Sequence, residues 1–600
     1  MNSYLRKSLR PYKRHFVFGP LLKMVESVFE LLLPLYMARI IDEGIRPRDT
    51  GVIYSLGLQM FLIISVSLLC TGGCQYLASI ASQGFGTRAR NALFAHVNRL
   101  TFSDLDKLGV NTLTTRVTND INQLQVAVAM MIRQISRAPF ISVGCIIMAM
   151  LLNQSLSVII IVGVVSFVAV LSVIMVAALP LYSLAQKRLD GMSGVLRESF
   201  AGVRVIRAFN RVSAEVRRFV LAVDAHRDSV VRVAKVSSFM NPATMLIMNL
   251  LICAILWFGG TRVNAGGASD SLIVAFINYV GLILSALLQL ASVVIIFTKS
   301  AASLARVNEV FAIPVKEEVV PAQVTEAIPA HGETDAADRC GEGKDVLLSF
   351  SDVSFSYTGN PEQNVLEDIC FSLRKGECLG IIGGTGSGKS TVLSLLLRFY
   401  VPQSGRIVWG GTDVGSLDSI LLRERMAVVF QNPRLFSGSI RENLEWSRPG
   451  ASDEEAGVAL ERAQAQDFVN VLPEGYDARV ERGGVNFSGG QRQRLSIARA
   501  LVRKPELLLL DDASSALDFL TEAKLRRAID TARREDGMSA IVVSQRINSV
   551  RFAEQILVLH EGRQVGLGTH EELLHSCEEY RAIALSQLSE DELLGMKGGV

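Results

Sequence analysis

The chain of 600 residues changes character about halfway along its length. Long apolar runs crowd into roughly the first 300 positions, whereas the last 250 read like a soluble domain. The hydrocarbon core of a bilayer needs about 20 mostly apolar residues per spanning helix. Six stretches meet this requirement and predict membrane-spanning helices, at 16–41, 53–80, 128–152, 155–183, 238–262 and 271–298.

Basic residues beside the spans predict their orientation, because Lys and Arg are concentrated in cytosolic segments. The first span is preceded by five basic residues and no acidic one: Arg6, Lys7, Arg10, Lys13 and Arg14. The segments between spans two and three and between spans four and five are long and rich in Arg and Lys, while the odd-numbered turns carry few basic residues. We therefore expect a multi-pass protein of a cell membrane, a bacterial inner membrane, with both termini in the cytosol.

The two long cytosolic segments are expected to be helical extensions of the spans. They lack stretches rich in Gly and Pro, and residues 113–125 have helical periodicity. The alternative is a pair of soluble loops, but structureless loops of this length are uncommon in compact proteins.

Charged residues inside the predicted spans allow two interpretations. Lys23, Glu26 and Glu30 share one face of span one, and Arg133 and Arg137 share one face of span three. A charge at the bilayer centre costs about 2.5–3.5 kcal/mol on insertion scales, which favours faces that point into a cavity or a partner helix. Alternatively, the side chains lie near the cytosolic end and extend to water.

Composition sets the domain boundaries. Pro314, Pro321 and Pro329 lie in an aperiodic segment at 313–346, which predicts a linker between a membrane domain at 1–312 and a soluble domain at 347–585. Residues 586–600 form a tail. The net charge of +3 gives no reason to expect a nucleic-acid partner, and the eight scattered cysteines have no metal-ligand spacing.

A phosphate-binding loop is the strongest motif of the soluble part. It follows an apolar, strand-like run at 378–382, and its residues are Gly383, Gly384, Thr385, Gly386, Ser387, Gly388, Lys389 and Ser390, with Thr391 opening a helix. The glycines let backbone N–H groups surround phosphates at the helix N-terminus. Lys389 is expected to reach the β- and γ-phosphates of ATP, and the Ser390 hydroxyl to bind Mg²⁺.

A second strand-like run, at 507–512, ends in two carboxylates, and Asp511 is the expected Mg²⁺ ligand. The run PheSerGlyGlyGlnArgGlnArg at 487–494 then resembles the signature motif of the ATP-binding cassette (ABC) family. Other motifs of that family are present at Tyr357, Gln431 and Asp518. The resemblance covers nearly the whole chain, excepting the linker and the tail.

The resemblance implies a fold and a set of roles. The expected fold is an exporter-type bundle of six transmembrane helices followed by an α/β P-loop nucleotide-binding domain. Tyr357 would stack on adenine, and Gln431 would bind Mg²⁺ and act at the catalytic centre. In this family ATP lies between the P-loop of one cassette and the signature motif of another. The residues offered to the partner's site would be Ser488, Gly489, Gly490, Gln491 and Asp518.

Two positions depart from the family pattern. Asp512 stands where the family has a catalytic Glu, and Gln545 stands where it has the switch His. Asp is one methylene shorter, and a displacement of about 1 Å can cost about a hundredfold in rate. Gln cannot carry the positive charge of an imidazolium. Together they resemble the degenerate subunit of bacterial heterodimeric multidrug exporters, which binds ATP, hydrolyses it weakly and completes the hydrolytic site of an unlike partner.

The sequence thus predicts a half-transporter, an ABC-type ATPase that exports small hydrophobic or amphipathic compounds, drug-like or lipidic. A lipid flippase or an exporter-fold importer is an alternative with the same residues. A regulatory or channel-like protein gated by ATP is a further alternative, favoured by the substitutions at 512 and 545. It is disfavoured by the segments at 113–120 and 202–210, which resemble the approaches to the family's cytosolic coupling helices, the helices that touch the nucleotide domain.

Overall fold

The computed structural model describes residues 3–264, 269–315 and 345–588. Most of the predicted linker at 313–346 and of the predicted tail at 586–600 lies outside these residues. The chain divides into two compact units, Met1–Arg99 with Gly109–Pro314, and Leu100–Leu108 with Val315–Val600. The segment Leu100–Leu108 lies between spans two and three of the sequence and yet belongs to the second unit.

The first unit is helical. Its helices are α1 (Ser3–Leu9), α2 (His15–Arg39), α3 (Thr50–Val97), α5 (Val110–Thr115), α6 (Ile121–Gln134), α7 (Arg137–Leu152), α8 (Gln154–Ala201), α9 (Val203–Ala208), α10 (Val212–Ser238), α11 (Met240–Asn264) and α12 (Asp270–Ala312), while α4 (Phe102–Leu108) belongs to the second unit. The π-helical turns Ile40–Ile45 and Arg116–Asp120 and the 3₁₀ turn Arg10–Tyr12 join some of them. The segment at 113–125, predicted to be helical, is helical throughout.

Five continuous helical segments of the described chain are long and apolar enough to cross a membrane: Thr50–Val97, Val110–Leu152, Gln154–Ala201, Val212–Asn264 and Asp270–Ala312. The second of them includes α5 to α7, and the fourth includes α10 and α11. The five segments contain predicted spans two to six. Helix α2 occupies the first predicted span over 25 residues but carries Lys23, Glu26 and Glu30, so its crossing stays a prediction. Helices α3 and α8 have 48 residues each, or about 72 Å, which exceeds the bilayer core of about 30 Å.

Helix α12 forms much of the core of the first unit. Phe276 and Tyr279 are fully buried, and the Tyr279 hydroxyl donates to the Leu31 carbonyl of α2 at 3.0 Å. A Cβ added at Gly144 of α7 would lie 2.4 Å from Leu31 Cδ1, so the Leu31 side chain packs directly against the α7 backbone at this glycine.

The charges predicted inside the first and third spans bond within the unit. Arg137 donates to Glu30 of α2 at 2.9 Å and to Gln289 of α12 at 2.6 Å. Lys23 donates to Glu26 at 2.6 Å, and Arg133 donates to Ser79 at 3.0 Å. Arg137 therefore follows the first interpretation, in which a charged side chain points to a partner helix.

The second unit is built on a sheet of ten strands in the order β5-β4-β1-β2-β12-β11-β3-β10-β9-β6. The strands are β1 (Val346–Phe355), β2 (Leu366–Arg374), β3 (Cys378–Gly383), β4 (Ser404–Trp409), β5 (Thr412–Asp413), β6 (Met426–Val429), β9 (Leu507–Asp511), β10 (Ser539–Ser544), β11 (Gln555–His560) and β12 (Arg563–Gly568), with β7 (Gly438–Ser439) and β8 (Arg479–Val480) paired separately. Helices cover it: α13 (Lys389–Leu396), α14 (Ser419–Glu424), α15 (Ile440–Glu445), α16 (Asp453–Arg462), α17 (Gln466–Val471), α18 (Gly489–Leu501), α19 (Phe519–Asp536), α20 (Ile547–Val550), α21 (His570–Ser576) and α22 (Glu578–Gln587).

The central strands of this sheet position the candidate site. Strands β11, β3, β10, β9 and β6 are parallel neighbours, and β3 and β9 are buried along their whole length. Parallel strands end at the same edge of a sheet, which is where ligands bind in α/β folds. The P-loop after β3, Asp511 and Asp512 at the end of β9 and Gln545 after β10 therefore meet there.

Candidate nucleotide-binding site

The P-loop connects β3 to the N-terminus of α13 in a conformation that requires glycine. Gly386 and Gly388 have φ of 82° and 94°, in the left-handed region. A Cβ at Gly388 would lie 2.5 Å from Leu366 Cδ2 and 3.0 Å from the Val365 carbonyl oxygen. The loop therefore places its backbone N–H groups around the start of α13, an arrangement suited to bind phosphate.

Lys389 lies mostly buried inside this loop. Its Nζ donates to the carbonyl oxygens of Gly383 and Gly384, at 2.8 and 2.6 Å. Burial lowers the pKa of the Lys389 ammonium, and the carboxylates of Asp511 and Asp512 act in the opposite direction. The P-loop carbonyls thus hold the ammonium in the cleft that contains both carboxylates.

Asp511 and Ser390 form an oxygen-rich pair. The Ser390 hydroxyl donates to Asp511 Oδ1 at 3.0 Å. Burial raises the pKa of Asp511 and the nearby Asp512 carboxylate raises it further, while Ser390 and Lys389 lower it. A buried carboxylate that lacks a full counter-charge suits a divalent cation, and hydroxyl, carboxylate and amide oxygens are ligands that Mg²⁺ accepts. Ser390, Asp511 and Gln431, which line the same cleft, fit the predicted Mg²⁺ site.

Asp512 has an unusual backbone. Its φ is 47°, and its N–H donates to the Val543 carbonyl of the neighbouring strand at 2.8 Å. Its carboxylate accepts long hydrogen bonds from the hydroxyl of buried Ser544 at 3.4 Å and from Gln431 Nε2 at 3.5 Å. The side chain at the position of the family's general base is therefore directed by groups from two other segments.

These residues surround one open cleft of about 260 Å³. It is lined by Val365, Thr385, Gly386, Ser387, Gly388, Lys389, Ser390, Thr391, Gln431, Asp511, Asp512, Val543, Ser544 and Gln545. The structure thus brings together the P-loop residues, the predicted metal ligands and both departures from the family pattern. Sequence reasoning missed Val365, Val543 and Ser544. Only Ser544 had a signal, since it immediately precedes Gln545 at the end of β10.

Tyr357 lies beside the cleft. Its hydroxyl shares a hydrogen bond of 3.1 Å with Thr391 Oγ1, and its ring stands edge-on to Phe355 at 4.9 Å. The residue is 46% exposed. Its stacking on adenine stays a prediction.

The predicted signature residues lie elsewhere in the second unit. Ser488 caps α18 by accepting from the Gln491 N–H at 3.3 Å, while Gln491 Oε1 accepts from the Ser488 N–H at 2.9 Å. Asp518 caps α19 by accepting from the Thr521 N–H at 2.9 Å. A Cβ at Gly490 would be 3.1 Å from the Ala516 carbonyl oxygen. Within the described chain none of these residues lines the P-loop cleft.

Fold and site together define a P-loop nucleotide-binding unit joined to a helical membrane unit. The profile of the ABC transporter transmembrane region matches residues 16–287, and the ABC transporter profile matches residues 366–515. An uncharacterized ABC transporter ATP-binding protein of Mycobacterium tuberculosis is 35% identical over 97% of both chains. Another, from Bacillus subtilis, is 34% identical over 97% of this chain and 98% of its own.

This chain belongs to the ABC transporter family. The structure of a bacterial Atm1-family ABC exporter with ATP bound has the same fold, with a TM-score of 0.76, 23% identity and coverage of 96% of this chain and 99% of that one. The predicted fold class, the half-transporter organisation and the ABC-type ATPase activity are confirmed.

Proposed function

We propose that this chain is the degenerate subunit of a heterodimeric exporter in a cell membrane, with both termini in the cytosol. It holds Mg·ATP at its own P-loop and lends its signature motif to an unlike partner, which hydrolyses ATP. The observation that carries this proposal is the pair Asp512 and Gln545, which lie in one cleft with an intact P-loop.

The residues of the cleft support ATP retention. Lys389 and the N–H groups of the P-loop would bind the phosphates, and Tyr357 would stack on the base. Ser390, Asp511 and Gln431 would hold Mg²⁺, which supplies neutralising charge to the β- and γ-phosphates when bound. Asp512 is too short to reach the attacking water as a Glu would, and Gln545 cannot supply a cation.

The proposed cargo is a small hydrophobic or amphipathic compound, drug-like or lipidic. This proposal is supported by the apolar character of the spans. The charged side chains of α2 and α7 bond to one another, as Lys23 does to Glu26 and Arg137 to Glu30. A lipid flippase would use the same machinery and differ only in the cargo released.

The experiment is a comparison of two single variants in the full-length chain, purified together with any exporter half that is encoded beside it. Asp512→Ala should leave ATP turnover within about twofold, since little hydrolysis occurs at this site. Ser488→Arg should abolish turnover, because it blocks the partner's site. Strong ATPase activity of the chain alone, lost in Asp512→Ala, would contradict the proposal.

A further inference from the structure

Helix α4 is held in the second unit by two consecutive aromatic residues. Phe102 packs on Phe399 with ring centroids 4.1 Å apart, and Asp106 accepts a hydrogen bond from the Tyr400 hydroxyl. Phe399 and Tyr400 follow the P-loop helix α13 within a few residues. The end of the P-loop helix is therefore connected directly to a helix that lies, in sequence, between two membrane spans.

Tyr400 also contacts the aromatic residue of the nucleotide site. Its ring stands at 90° to Tyr357 with centroids 5.1 Å apart, and it lies 5.6 Å from Phe355. Phe355 is buried and packs edge-on against Tyr357 as well. Edge-to-face geometry is the preferred arrangement of aromatic pairs, so these contacts restrict the plane of the Tyr357 ring.

Three groups therefore hold the orientation of the Tyr357 ring: the rings of Phe355 and Tyr400, and Thr391, which bonds to the Tyr357 hydroxyl. Burial raises the pKa of Tyr400, and its hydrogen bond to Asp106 raises it further. The Tyr400 hydroxyl consequently remains protonated at cytosolic pH and donates to Asp106. One side chain thus contacts the base-stacking ring with its own ring and contacts α4 with its hydroxyl.

We infer that Tyr400 is a positioning residue for base recognition, which orients Tyr357 for adenine and passes base occupancy to α4 through Asp106. The inference rests on the proposed binding of ATP at the P-loop. Stacking of adenine on Tyr357 would immobilise its ring, and the adjoining Tyr400 ring would then have less freedom. The hydrogen bond to Asp106 carries that loss of freedom into α4.

Mutations can separate the effect of the Tyr400 ring from the effect of its hydroxyl. The full-length chain in lipid nanodiscs is titrated with a fluorescent ATP analogue in the presence of Mg²⁺, and amide hydrogen exchange of Leu100–Leu108 is measured with and without Mg·ATP. Wild type should show exchange in α4 that is slowed at least about threefold by ATP. Tyr400→Phe should bind ATP within about twofold of wild type and lose this slowing, because the ring remains and the hydroxyl is absent.

Tyr400→Leu should weaken ATP binding at least about fivefold, since Tyr357 loses one of its ring partners. Asp106→Ala should reproduce the Tyr400→Phe result, and the double variant should lose nothing more. Tyr476→Phe is the matched control, because it removes a hydroxyl bonded to Gln466 in the same unit. It should behave like wild type.

The outcomes separate this inference from the proposed function. If wild type fails to bind Mg·ATP, the proposed nucleotide site is wrong. If wild type binds ATP and Tyr400→Phe retains the full slowing in α4, or Tyr476→Phe loses it equally, the role of Tyr400 is overturned while the nucleotide site stands.

Discussion

At the end of β9 two adjacent carboxylates have different surroundings. Asp511 is buried and accepts from Ser390, whereas Asp512 has a left-handed backbone and accepts only long hydrogen bonds. Asp and Asn tolerate positive φ better than other non-glycine residues, because their short polar side chains can bond locally. The aspartate at 512 therefore suits its left-handed backbone.

Replacing Asp512 and Gln545 by the residues that the family has there should restore ATP hydrolysis at this site. In a complex with a partner half whose own catalytic glutamate is replaced by glutamine, Asp512→Glu with Gln545→His is expected to raise ATP turnover at least about tenfold, because general-base catalysis contributes about 10²–10⁴ in rate. Asp512→Asn is the control, since it keeps the backbone preference and removes the charge. Unchanged turnover in a double variant that still binds Mg·ATP would count against the degenerate-site proposal.

The glycines of the P-loop allow a matched pair of stability variants. Gly388→Ala should lower the free energy of unfolding by about 1–3 kcal/mol, because it combines a positive φ with a close approach to Leu366. Gly384→Ala should be nearly neutral, since a Cβ there meets nothing within 4 Å. Thermal unfolding of the nucleotide-free chain measures both. Equal destabilisation by the two variants would show that the steric argument is wrong.

Residues of the site were predictable where they lie in a local motif. The P-loop, Asp511 and Gln545 each follow a strand-like run, so short-range pattern and a known spacing located them. Val365 lines the cleft because β2 lies near the P-loop in space, and no spacing encodes that. The positive φ of Asp512 and the hydrogen bond of its N–H to Val543 of another strand likewise have no signal in the local sequence.

At the scale of elements, the C-terminal helix α22 holds the switch segment. Gln587 Nε2 donates to the Gln545 carbonyl at 2.7 Å, and its Oε1 accepts from the Ile547 N–H at 2.9 Å. One side chain therefore fixes the backbone on both sides of Arg546. Gln587 is 42 residues from Gln545, and nothing in the sequence pattern connects them.

Loss of this side chain should loosen the switch segment. Gln587→Ala is expected to speed hydrogen exchange of the Ile547 amide about 2–10-fold, the effect of losing one net hydrogen bond. Gln587→Glu should keep Ile547 near the wild-type rate, because a carboxylate still accepts from that N–H. Ser586→Ala, one residue away, is the control. Fast exchange in the Glu variant would indicate that the donor bond to Gln545 is the one that matters.

At the scale of the whole molecule, the element types were well predicted from composition and periodicity. Apolar runs long enough for a bilayer gave spans two to six, because lipid requires every backbone group to bond within a helix. The first span stays a prediction, since α2 carries Lys23 and Glu26, which bond to each other, and Glu30, which bonds to Arg137 of α7. The resemblance implies cytosolic coupling helices that touch the nucleotide domain. It did not single out Leu100–Leu108, because the contacts of this segment depend on side chains nearly 300 residues away.

The predicted orientation can be tested with reporters placed at two positions. A periplasmically active phosphatase inserted at the turn of Asn153 should be active, and a fluorescent protein fused to the C-terminus should fluoresce, because the positive-inside pattern places them on opposite sides. An inactive phosphatase in a chain that inserts normally would reverse the assignment. A phosphatase inserted after Gly202 is the control and should be inactive.

The position of α4 has a practical consequence for anyone who wishes to prepare the nucleotide-binding part as a separate fragment. A piece beginning at residue 345 would leave behind Phe102 and Asp106, so the Phe399 ring would lose its apolar cover and Tyr400 its acceptor. Such an excised fragment would expose an aromatic surface next to Tyr357, the residue proposed to stack on the base. A soluble fragment that reports faithfully on base binding would need a graft of the nine residues from Leu100 to Leu108.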